Sequence, residues 1–131
     1  FGGIDMILAS SVQRGREPSS RCFLPMAEIL LIDDDDTLRQ IVQAALVERG
    51  HTVHCLARAD AALDTVSHVE PDLIVIDEIM PGLHGSQFLK ILRDQGNDTP
   101  VILMTGLATG TLIEPMKQLG AAVVPKPAAG S

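Results

Sequence analysis

The chain has 131 residues, of which 46% are hydrophobic, with a net charge of −7, three Phe and no Trp or Tyr. That allows one domain with an aliphatic core, argues against direct binding to nucleic acid or an anionic membrane surface, and leaves no apolar run near the roughly 20 residues of a membrane span. Cys22 and Cys55 make neither a disulfide framework nor a metal-binding spacing, so a reducing cytoplasm is the expected compartment.

Residues 1–25 mix Gly, Ser, Pro and Arg without a sustained period and read as an N-terminal extension, disordered or artefactual. A regular pattern starts at Met26. "EILLI" (28–32) is a continuous apolar run, as for a strand buried on both faces. From Asp36 to Gly50, Leu38, Ile41, Val42, Ala45 and Leu46 fall on one helical face, with Asp36 as N-cap and Gly50 as the residue after the C-cap. "HTVHCL" (51–56) predicts a second strand, and residues 59–69 a helix with Ala62, Leu63, Val66 and Val69 on one face.

"DLIVI" (72–76) is another buried run, and "MPGLHG" (80–85) a loop. Ser86 is placed to cap a helix through Gln95 that carries Phe88, Leu89, Ile91 and Leu92. "VILM" (101–104) is a fourth strand. Residues 111–119 are helical at best, because Pro115 lacks a donor and crowds the preceding turn. "AAVV" (121–124) is a fifth strand before "PKP". Strictly alternating β and α elements predict an α/β fold, a doubly wound, flavodoxin-like five-stranded parallel sheet with helices on both faces.

In such sheets, sites form beyond the carboxyl ends of the strands. Asp33 and Asp34 follow the first run, Asp77 the third, Thr105 the fourth and Lys126 the fifth. Carboxylates, a hydroxyl and an ammonium gathered on one edge suit Mg²⁺, which prefers hard oxygen ligands, and a phosphoryl group.

The stretches "LLIDDDDTLRQ", "PDLIVIDEIMPGLHG", "PVILMTG" and "LGAAVVPKP" resemble, in order and spacing, the receiver domain of two-component response regulators (CheY-like), from about Ala27 to Pro127. The resemblance implies that Asp77 accepts a phosphoryl group from a histidine kinase or phosphotransfer protein. It implies that Asp33, Asp34, Asp77 and the main-chain carbonyl of Ile79 hold Mg²⁺. Thr105 would bond a phosphoryl oxygen and relay the change, Lys126 would pair with the phosphoryl group, and the bond before Pro127 would be cis. Such a domain is not an enzyme beyond catalysing its own phosphorylation and dephosphorylation. Two departures stand out: the Gly120–Lys126 segment is one residue short, with Pro125 before the lysine, and Val123 or Val124 replaces the usual aromatic switch residue.

Some residues have plainer explanations. Asp35 and Asp36 suit a helix N-terminus, where a carboxylate gains about 0.3–1 kcal/mol. Glu78 is expected to point away from the site and to tune kinase recognition. His51, His54 and His84 have no companions for a metal or catalytic role.

A rival signature overlaps the acidic run. Asp33, Asp35, Thr37 and Leu38 match the Asp-x-Asp-x-Thr-Leu of haloacid-dehalogenase-like phosphatases, with Asp33 as nucleophile and Asp35 as general acid. Asp36 stands where that family has Gly, and the rival leaves "DEIMPGLHG" unexplained. A receiver-like interaction module that takes no phosphate is the third reading.

The receiver unit is expected over residues 26–127, with 128–131 a stub of linker or of a truncated fifth helix. The fifth helix would be missing, the chain a fragment of a longer protein with an output domain, and one sheet face exposed. That exposure predicts low stability or self-association, such as a homodimer.

Overall fold

The computed structural model describes residues 27–80, 82–106 and 110–125. Over these residues the strands are β1 (Glu28–Ile32), β2 (Thr52–Leu56), β3 (Leu73–Asp77), β4 (Val101–Thr105) and β5 (Ala121–Pro125). Between them lie α1 (Asp36–Glu48), α2 (Ala59–Val69), α3 (Gly85–Asp94) and α4 (Gly110–Gln118). The strands form one parallel sheet in the order β2-β1-β3-β4-β5.

The sequence explains why these strands sit inside. β3 and β4 have every residue buried, as continuous apolar runs require when helices cover both faces. Alternate side chains divide into two cores. Leu30, Ile32, Ile74, Ile76 and Leu103 pack with Ala62 and Val66 of α2, Phe88, Leu89 and Leu92 of α3 and Met116 of α4. Ile29, Leu31, Leu73, Val75, Ile102 and Met104 face the other way, with Leu38, Val42 and Leu46 of α1. On this second face the partly exposed strand residues belong to the two edge strands, Val53 and Cys55 of β2 among them. Ile102 and Met104 are fully buried, whereas Ala122 and Val124 of β5 are half-buried.

Helix ends differ from the sequence expectation where several residues compete for one role. The N-cap of α1 is Asp35, not Asp36: its backbone is extended, and its Oδ1 accepts the Leu38 N–H at 3.1 Å. Asp36 lies in the first turn and pairs with Arg39 on the surface. Asp35→Ala should therefore cost about 1 kcal/mol, while Asp36→Ala should cost only a few tenths, as for an exposed ion pair. Urea midpoints of the two variants check this, and the reverse order would contradict the cap assignment.

At the other end, the Gly50 N–H donates to Val47 O and the His51 N–H to Leu46 O. Gly50 has φ +93°, the left-handed conformation that glycine adopts without strain. His51 thus belongs to the helix stop, and β2 begins one residue later than expected.

α3 also starts earlier than expected. Its N-cap is His84, whose N–H donates to Gln87 Oε1 at 2.9 Å. Ser86 does not cap the helix. α4 persists through Pro115 because packing outweighs the local cost, with Met116 only 2% exposed against the sheet. Among the described residues, no helix is long and apolar enough to cross a membrane.

Candidate functional site

β1 lies between β2 and β3, so the chain leaves β1 in one direction and returns to β3 on its other side. Connections diverging from adjacent strands leave a crevice at the carboxyl edge. The residues ending β1 and β3 must line it. Asp33 and Asp77 are buried there, and Asp34 is exposed at the rim. One carboxylate oxygen from each of Asp33, Asp34 and Asp77 lies within 4.8 Å of the other two.

Each acid is held by its own segment. The Asp33 N–H donates to Leu56 O at 3.0 Å, carrying the β1–β2 pairing one residue past the strand. Its Oδ1 accepts the Asp35 N–H at 2.9 Å, and its main-chain oxygen accepts from Arg39 Nη1 at 2.7 Å. Asp77 is the last residue of β3, opposite Met104. Its Oδ1 accepts the Ile79 N–H at 3.2 Å, while the Glu78 N–H ties the strand end to Met104 O at 2.8 Å. Thr105 closes β4 on the same edge, 3% exposed and opposite Pro125 of β5. The Ile79 side chain is exposed beside the crevice. Lys126 and Pro127 lie outside the described residues.

Three carboxylates this close repel one another, and burial of two of them raises the cost of their charge. A cation relieves both. The donors are all hard oxygens, with no thiolate or imidazole among the clustered groups, which fits Mg²⁺ better than a soft metal.

The profile of the response regulator receiver domain matches residues 29–130. The chain belongs to this family. It is a receiver domain of two-component response regulators, a signalling domain. The receiver is 34% identical over 102 residues to the response regulator protein FleR of Pseudomonas aeruginosa, covering 77% of this chain and 22% of FleR. It is 36% identical over 80 residues to the regulatory protein AtoC of Escherichia coli, covering 61% of this chain and 17% of AtoC. The chain thus spans about a fifth of the length of these two curated relatives.

Among solved structures, the receiver superposes on the Francisella response regulator 1452 receiver domain with a TM-score of 0.73 and 31% identity, over 77% of this chain and 84% of that one. It superposes equally well on the Vibrio cholerae chemotaxis protein CheY4, with a TM-score of 0.73 and 30% identity over 79% and 89%.

These likenesses give no support to a phosphatase. The carboxylate of Asp35, which that chemistry needs as a general acid, caps α1. The Glu78 carboxylate stands outside the acid cluster and bonds to α3, where Oε1 accepts the Ser86 N–H at 2.7 Å and Oε2 the Ser86 hydroxyl at 2.9 Å, a contact not legible in the sequence. Nor did sequence reasoning single out Arg39 or Gly85. The Arg39 guanidinium donates to the main-chain oxygen of Asp33, and Gly85 lies directly against the main chain of Asp77. A glycine opening a helix just after the loop that follows β3 was the available signal. Burial pushes the Cys55 thiol above its ordinary value, with Arg39 opposing, so Cys55 is a poor nucleophile at neutral pH.

Proposed function

We propose that Asp77 takes a phosphoryl group from a histidine kinase or phosphotransfer protein, with Asp33, Asp34, Asp77 and the Ile79 carbonyl as ligands of Mg²⁺. The observation that carries this reading is the convergence of the three carboxylates at the crevice between β1 and β3. An Asp77 carboxylate oxygen bonds to phosphorus as the bond from phosphorus to the donor breaks, and the donor leaves with the electron pair. The product is an aspartyl phosphate.

The Ile79 N–H donates to Asp77 Oδ1 at 3.2 Å and so orients the carboxylate. Mg²⁺, when bound, neutralises charge on the acids and on the transferring group. The Thr105 hydroxyl is assigned to a phosphoryl oxygen, and the Lys126 ammonium to the same group. The domain catalyses its own phosphorylation and, through an attacking water, its own dephosphorylation.

The unit proposed to act this way is residues 26–127, in the cytoplasm and within a longer chain carrying an output domain. Self-association as a homodimer is part of this proposal.

Acetyl phosphate with Mg²⁺ tests the reading. Wild type should gain one phosphoryl group by intact mass, Asp77→Asn none, and Asp33→Asn much less at the same Mg²⁺ concentration. Mass gain that survives in Asp77→Asn would overturn the assignment. A wild type that neither gains mass nor binds Mg²⁺ would be an interaction module that takes no phosphate.

A further inference from the structure

Glu78 follows the acceptor directly, is 9% exposed, and is fixed at four points. Its N–H donates to Met104 O and its main-chain oxygen accepts the Gly85 N–H at 3.1 Å. Both carboxylate oxygens accept from Ser86, one from the N–H and one from the hydroxyl. Gly85 and Ser86 are the first two residues of α3, so their N–H groups have no partners within the helix. A carboxylate is favoured there by the helix dipole. Glu78 therefore closes the segment from Asp77 to Ser86 into a ring. Ile79 lies inside that ring, and its N–H donates to Oδ1 of Asp77.

We infer that Glu78 is a positioning residue for phosphoryl acceptance. Its carboxylate, clamped on Ser86, fixes the backbone that carries the Ile79 N–H and carbonyl. It touches neither the phosphoryl donor nor the reacting atoms. The clamp rests on the proposed role of Asp77, and deepens it.

Geometry and charge make different forecasts for the glutamine variant. Negative charge near a cation site favours the cation, so a purely electrostatic role would weaken Mg²⁺ binding alike in every variant that neutralises Glu78. A clamp requires acceptors, not charge. Glu78→Gln keeps an acceptor for the Ser86 N–H and sets an amide against the hydroxyl oxygen, which can accept. Glu78→Ala keeps neither contact.

The test measures Mg²⁺ affinity by calorimetry and the labelling rate with acetyl phosphate at saturating Mg²⁺, on samples shown folded by thermal melting. Glu78→Ala should lose about tenfold in labelling rate and Mg²⁺ affinity, the scale of losing a residue that orients metal ligands. Glu78→Gln should stay near wild type in both. Ser86→Ala, which keeps the N–H contact, should lose about threefold and serves as the reading if Glu78→Ala does not fold.

Wild-type rate and affinity in Glu78→Ala, or in Ser86→Ala where it stands in, would overturn the clamp. So would a Glu78→Gln as impaired as Glu78→Ala. If wild type takes no label, the role of Asp77 fails and the Mg²⁺ isotherms decide alone. Weaker binding in the alanine variant with wild-type binding in Glu78→Gln then supports the clamp, and binding that is unchanged, absent or equally weak in both overturns it.

Discussion

Gly85→Ala is expected to abolish most phosphoryl uptake and to cost about 1–3 kcal/mol of stability, the range for overpacking a filled site. A β-carbon on Gly85 would lie 2.6 Å from the main-chain oxygen of Asp77 and 2.6 Å from Leu103 Cδ1. Neither neighbour can yield cheaply. The first is backbone at the end of a central strand. The second is a fully buried side chain on the adjacent strand. The new methyl must drive α3 off the sheet or displace β3, and both movements disturb Asp77. The glycine is required for close approach, not for its backbone angle. Urea unfolding and acetyl phosphate labelling of one preparation check both halves. Wild-type labelling with an unchanged midpoint would show that α3 can shift freely.

The second large effect belongs to the opposite edge of the sheet. Arg93→Met should cost about 2–3 kcal/mol, on the scale of hydrogen bonds to a charged group, with the labelling rate of the folded fraction unchanged. Arg93 Nε donates to Leu119 O at 2.6 Å, and Nη1 donates to Asn97 O at 3.0 Å and Thr99 O at 2.8 Å. One guanidinium thereby joins the end of α3, the approach to β4 and the turn into β5. Burial pulls its pKa down from the ordinary value and Asp98 opposes this, but an arginine remains charged at any working pH. Its planar fork matters more than its charge, so Arg93→Lys should recover only part of the loss. Calorimetric melting of the three proteins decides it. A lysine variant as stable as wild type would reduce the contact to simple charge.

The fold is legible in the sequence because parallel strands buried on both faces need unbroken apolar runs. β1 and α2 fall at their expected residues, β3 is shifted by one residue to end on Asp77, and β4 extends by one into Thr105. Strand-end polar residues in an alternating β/α chain point to one edge, so the acidic cluster is legible as a set. What escapes is set by tertiary hydrogen bonds. Four consecutive aspartates offer equivalent caps, and only the backbone leaving β1 selects Asp35. Ser86 has the composition of a cap, yet Glu78 reaches it across the loop and His84 takes the position. The closeness of Gly85 to Asp77 belongs to packing and has no local pattern.

The reversal of strand order at β1 has a consequence for when the protein can signal. The acids of the crevice come from strands separated along the chain by α1, β2 and α2. No hairpin or local turn brings them together, and parallel pairing of distant segments is completed late and cooperatively. A chain with β1 and β3 unpaired has carboxylates but no cluster. Under the role proposed for Asp77, receptivity to phosphate would be a property of the whole fold, and any ligand of the cluster would favour the folded state by mass action. A misfolded copy would be silent: the topology itself acts as proofreading, admitting only completed domains to the signalling pool.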